Sequence, residues 1–126
     1  MTTTMPLSKA ITAGLRKAME DDPKVVLIGE DIGKLGGVFR VTEGLQKDFG
    51  EQRVIDAPLA ESGIVGTSIG MAIRGYRPVI EIQFDAFIFP AYDQIVTQVA
   101  KLHARTGGNE KIPVVIRVPY GGGIGS

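Results

Sequence analysis

The sequence predicts an α/β fold: a mostly parallel sheet with helices on both faces. Helical and extended segments alternate along the chain, and right-handed crossovers between successive strands place the helices on the faces of a parallel sheet. Two of the extended segments, Val25-Val26-Leu27-Ile28-Gly29 and Val114-Val115-Ile116-Arg117-Val118, are nearly continuous apolar runs. Such runs mark strands covered on both sides.

The first element is a helix over 7–22, with Leu7, Ile11, Leu15, Ala18 and Met19 on one stripe and Asp21-Asp22-Pro23 as its stop. The strand 25–29 follows, with Glu30-Asp31 at its carboxyl end. The glycines of the next loop do not have dinucleotide-fingerprint spacing, so no Rossmann site is expected. A short helix over 42–49, capped by Thr42 and closed by Gly50, leads into a strand over 53–56 that Pro58 ends. A helix starting near Glu61 or Ser62 runs to Gly75, and the third strand is 79–84. Pro90 opens a helix continuing over 91–106 with Ile95, Val99 and Leu102 as its buried stripe. After the strand 114–118 comes the glycine-rich run 120–126.

In the third helix Gly63, Gly66 and Gly70 fall on one face, at a cost of about 1 kcal/mol each relative to alanine. Their neighbours Ile64, Val65, Ile69, Met71, Ala72 and Ile73 leave little polar surface, so the helix is expected to be buried nearly all round, with a partner against the glycine face.

Composition excludes several functions. Fourteen basic residues balance fourteen acidic ones without a run of either sign, so neither nucleic acid nor an anionic membrane is an expected partner. With no cysteine and one histidine, thiol chemistry and multi-histidine metal sites are excluded, and no metal is expected on this chain's own side chains. No apolar run approaches the roughly 20 residues that span a bilayer, and no signal segment opens the chain, so a cytoplasmic location is the default expectation. His103 reads as a surface residue.

The chemistry-bearing residues collect in the loops at the strands' carboxyl ends, where open α/β sheets bind ligands. Glu61, Gln83, Phe84 and Phe87 then share one rim and suggest a planar, partly apolar ligand. Glu61 has an alternative reading as an acid that complements the helix dipole.

Four runs resemble one family: Val-Leu-Ile-Gly-Glu-Asp-Ile-Gly (26–33), Gly-Gly-Val-Phe-Arg-Val-Thr-Glu-Gly-Leu (36–45), Asp-Ala-Pro-Leu-Ala-Glu-Ser-Gly-Ile-Val-Gly (56–66) and Glu-Ile-Gln-Phe-Asp-Ala-Phe-Ile-Phe-Pro-Ala-Tyr-Asp-Gln (81–94). They are similar to the β-subunit of the thiamine diphosphate-dependent first component of 2-oxo acid dehydrogenase complexes. The last run looks most like the branched-chain enzymes, with pyruvate dehydrogenase second and an acetoin-cleaving enzyme as another alternative. The resemblance implies a transketolase-like pyrimidine-binding domain over 1–126, with the C-terminal transketolase-like domain absent.

It further implies that Glu61 exchanges a proton with N1′ of the thiamine aminopyrimidine, shielded by apolar neighbours for which Leu59, Ile64 and Phe87 are candidates. Phe87 takes the place of the stacking aromatic, Leu59, Ala60 and Gln83 line the same pocket, and Glu30 lies near the cofactor. The family holds the diphosphate and magnesium through a Gly-Asp-Gly motif on an α-subunit, and this sequence contains no such motif. An α2β2 heterotetramer is therefore implied, acting on a 2-oxo acid and passing the acyl group to a lipoyl acyltransferase component. A non-catalytic α/β interaction domain is the alternative from another class.

Overall fold

The computed structural model describes residues 4–121. Its secondary structure comprises α1 (Leu7–Asp21), β1 (Val25–Gly29), α2 (Leu45–Phe49), β2 (Val54–Asp56), α3 (Glu61–Ile73), β3 (Arg77–Glu81), a 3-10 helix (Asp85–Ala91), a π-helix (Gln94–Val99), α4 (Leu102–Arg105) and β4 (Val115–Arg117). The strands form one sheet in the order β2-β1-β3-β4. Every pairing is parallel, with Leu27 opposite Val54, Ile28 opposite Ile80 and Glu81 opposite Arg117. The expected fold class is therefore present. The glycine run's residues 122–126 lie outside the described residues.

The period-2 alternation of a strand divides the core into two layers. On one face Val25, Leu27 and Val54 pack with Met19, Ile32 and Leu45, joined by Leu15, Ala18 and Phe49. On the other, Ile28 and Ile80 pack with Ile64, Val65 and Ala91, and with Ile55, Ile95, Val99 and Ile116 around them. All five residues of β1 are buried, as the unbroken apolar run required.

Several local expectations give way to tertiary demands. The helix expected over 91–106 is three pieces, and Pro90 lies inside the 3-10 turn instead of opening an α-helix. Thr42 does not cap α2, which begins after Gly44 in the left-handed region. Its hydroxyl is buried and donates to the Ile32 carbonyl at 2.7 Å. The third strand lies at Arg77–Glu81, so Gln83 and Phe84 fall beyond it.

Pro78 is tolerated within β3 because of strand alternation. Arg77 donates to Lys24 on the β1 side at 2.9 Å and Ile82 donates to Arg117 on the β4 side at 3.0 Å. Pro78 therefore faces β4, whose ladder begins only at Val79.

Within this chain α3 is covered on one side only. α3 buries Glu61, Ile64, Val65, Ser68 and Ala72, while Gly63, Thr67, Gly70 and Ile73 are exposed. The glycine face is thus the outward one within this chain. A Cβ built at Gly70 would meet nothing within 4 Å, and one at Gly66 would meet only the Gln94 amide, at 3.7 Å or more.

Candidate functional site

β1 and β2 both deliver chain to the same end of the sheet, and α3 starts there. The turn after β2 is fixed by the Ala57 N–H donating to the Gly29 carbonyl at 2.8 Å. Ala60 is the N-cap residue of α3 and makes no side-chain capping bond. Glu61, the first helical residue, is 7% exposed, where a solvated dipole-complementing acid would be open to water.

Glu30 follows Ile28 by one strand repeat and so leaves β1 toward the α3 layer. It is 9% exposed, and its Oε1 is buried with no hydrogen-bond partner. Burial raises the Glu30 pKa above the ordinary carboxyl value, with further upward contributions from the charges of Glu61 and Asp31. Glu30 and Glu61 are thus two buried carboxyl groups at the same end of the sheet, within electrostatic reach of each other. Where two such groups sit close, one holds its proton more tightly than an isolated acid does.

Around the pair, Asp31 takes the left-handed conformation, φ 54°, which is uncommon for a residue with a side chain. It receives a long hydrogen bond, 3.4 Å, from the half-buried Gln83 amide. Phe87 stands in the 3-10 turn, 43% exposed. It meets Phe84 edge to face at 5.6 Å between ring centres, and Phe84 meets Phe39 in the same manner at 5.8 Å. Two links, Asp31–Gln83 and Phe39–Phe84, therefore tie the loop after β1 to the loop after β3.

Of the residues expected in the site, Glu30 and Glu61 are both buried at the carboxyl end of the sheet, while Gln83 and Phe87 contact the linked loops through Asp31 and Phe84. Ala60 is half-buried at the helix start. Leu59 is 80% exposed within this chain. Of the three expected shields Ile64 is buried, at 3%, and Phe87 and Leu59 are open to solvent within this chain. Sequence reasoning missed Asp56 and Phe39. A strand-terminal acid and a loop aromatic give no local signal, and their contacts span 23 and 45 residues.

An apolar groove of about 280 Å³ runs beside the site between β2 and α3, lined by Ile28, Ile55, Ala57, Gly63, Ile64 and Met71 among others. Among the described residues no group of three or more His, Cys, Asp or Glu side chains could hold a metal ion, and no helix is long and apolar enough to cross a membrane. His103 is exposed, with Nδ1 2.8 Å from the Glu110 carbonyl.

Residues 3–125 match the family described as transketolase, pyrimidine binding domain. The chain is 63% identical over 122 residues to the pyruvate dehydrogenase E1 component subunit beta of Leifsonia xyli subsp. xyli (strain CTCB07), an alignment covering 97% of this chain and 36% of that protein. It is 54% identical over 118 residues to the protein of the same name from Acholeplasma laidlawii, covering 94% and 36%. Over 120 residues it is 52% identical to that of Staphylococcus aureus (strain Mu50 / ATCC 700699), covering 95% and 37%. The chain thus spans little more than a third of the length of these relatives.

Proposed function

Because the chain belongs to the transketolase pyrimidine-binding domain family, we propose that it binds the aminopyrimidine half of thiamine diphosphate, as part of the β-subunit of a 2-oxo acid dehydrogenase first component. The observation that carries this reading is the burial of both Glu30 and Glu61 at the carboxyl end of a parallel sheet, with Oε1 of Glu30 left unpartnered. A buried, unpaired carboxyl is costly, and a nitrogen heterocycle with donor and acceptor edges is the type of group that relieves such a cost.

The residues present fit half of the cofactor. Glu61 would hold a proton against the ring nitrogen N1′, and Glu30 would keep a second carboxyl beside it. Phe87 would offer its exposed ring to the flat heterocycle, with Phe84 holding that ring from its edge. Gln83 and Ala60 would border the same pocket. When bound, thiamine diphosphate supplies a carbon nucleophile for the 2-oxo acid carbonyl and takes up the electron pair released by decarboxylation. The diphosphate and magnesium would be held by an α-subunit in an α2β2 assembly, and a lipoyl acyltransferase would receive the acyl group.

The relatives' names favour pyruvate as the 2-oxo acid, so the branched-chain preference suggested by the 81–94 run is not supported. The test is decarboxylation by the full-length subunit assembled with its α partner, comparing pyruvate with 3-methyl-2-oxobutanoate. Pyruvate is expected to turn over faster. Glu61→Gln should lower kcat by about 10²–10⁴-fold, the range for a general acid–base group. Unchanged activity in that variant would leave Glu61 as a helix-end acid only.

A further inference from the structure

The carboxylate of Asp56, the last residue of β2, is tied to a different element. Its Oδ1 accepts a hydrogen bond of 2.6 Å from the Gly33 N–H, in the loop that follows β1. Gly33 is buried, and the cradle around it leaves no room for a side chain. A Cβ there would overlap the Gln46 amide nitrogen and Asp56 Oδ2, and would lie 2.8 Å from the Asp56 carboxyl carbon. Gln46 is itself fixed, donating to the Val54 carbonyl at 3.0 Å. The loop is thus seated on the end of β2 by a charge-assisted bond and by close backbone approach.

The segment between Gly33 and Glu30 has little freedom. Ile32 is 1% exposed and its carbonyl accepts the Thr42 hydroxyl at 2.7 Å. Asp31 is held at φ 54°, and its carbonyl accepts the Gly37 N–H at 2.8 Å. Gly33 thus ends a short, closely held segment that begins at Glu30. Pairing of the strands does not need the Asp56 side chain, since the Ala57–Gly29 backbone bond already joins their ends.

We propose that Asp56 is a positioning residue: it anchors the loop after β1 at Gly33 and so holds the Glu30 carboxyl against the first turn of α3. The functional importance of that position rests on the reading of Glu30 and Glu61 as the cofactor-facing pair, whereas the anchoring itself can be measured separately.

The experiment uses the full-length subunit assembled with its α partner and has two readouts. The first is amide hydrogen exchange of the segment 31–38. Asp56→Ala should speed it at least about tenfold, the order expected when one charge-assisted hydrogen bond is lost. Asp56→Asn should restore most of the protection, because its side-chain oxygen still accepts from Gly33. Gly33→Ala should reproduce the Ala phenotype by pushing the cradle apart.

The second readout is thiamine diphosphate affinity in two backgrounds. Asp56→Ala should weaken binding roughly tenfold in the wild type, and less than about twofold when Glu30→Gln is already present, because residues acting through one another are non-additive. Unchanged exchange in Asp56→Ala, or an equal loss of affinity in both backgrounds, would overturn the proposal. If exchange rises as expected while Glu30→Gln binds the cofactor normally, the anchor stands and the reading of the carboxyl pair falls.

Discussion

Glu81 and Arg117 stand opposite each other in the β3–β4 ladder and form an ion pair across it, with side chains 5% and 17% exposed. They lie on the α1 side of the sheet, beneath Gly37, where an added Cβ would come within 3.4 Å of Glu81 Oε1. Both carboxylate oxygens and the guanidinium Nη2 have no hydrogen-bond partner besides this pair. Burial lowers the Arg117 pKa from its ordinary value.

Breaking that pair from one side should be worse than removing it. Arg117→Met leaves Glu81 buried and uncompensated, at an expected cost of about 3–5 kcal/mol in denaturant unfolding. Combining it with Glu81→Leu should recover most of the loss. A double variant as unstable as the single one would show that the pair contributes net stability.

Glu30 sets a pH dependence. Its folded-state pKa is raised, chiefly by burial, so the native state binds a proton more tightly than the unfolded chain does. Its contribution to stability is then greatest below the ordinary carboxyl value of 4.5 and declines as pH rises from there through the raised folded value. Glu30→Gln should flatten this decline and leave the protein more stable at neutral pH. Urea midpoints of the wild type and Glu30→Gln, followed from the ordinary carboxyl value of 4.5 upward to neutral pH, are the check.

Arg53 closes the end of α1. Its guanidinium donates to the carbonyls of Met19 at 3.0 Å, Asp22 at 2.9 Å and Val25 at 2.8 Å, and lies 5.4 Å from the Phe49 ring centre. Arg53→Met should cost about 1.5–3 kcal/mol by leaving partly buried carbonyls unpaired. Arg53→Lys should recover only part of it, because an ammonium cannot reproduce the planar fork. Equal stability of Arg53→Lys and wild type would argue that charge alone suffices.

Phe84 bridges two aromatic contacts, each worth about 0.5–1.5 kcal/mol beyond burial. Phe84→Leu should therefore free the Phe87 ring while keeping most of the apolar volume. In the assembled enzyme the expected result is a raised KM for thiamine diphosphate with kcat little changed; a fall in kcat alone would place Phe84 in the chemistry instead.

What was legible in the sequence follows from how local each cause is. The β1 strand could be read because burial on both faces forces an unbroken apolar run, and α3 could be placed because Pro58 and Glu61 bracket its start. Glu61 was visible as an acid at a helix N-terminus, and its expected shielding is met in this chain by burial to 7% exposure. The pieces of the 85–105 segment were not legible, because Ile95, Val99 and Leu102 keep a helical spacing whether the turns are α or π. Thr42 looks like a cap until Ile32, ten residues away, claims its hydroxyl. Asp56 was silent because a strand-end acid resembles any solvated charge until Gly33 is folded onto it.

Pro78 also penalises one misalignment of β4 on β3. With no hydrogen on its nitrogen, it offers nothing to a β4 strand that has slipped toward the amino end of β3. A slip of two residues keeps every side chain on its proper face, so hydrophobic sorting alone would let that error pass. The missing donor makes the misaligned sheet one bond poorer than the correct one and so provides proofreading that the apolar pattern lacks.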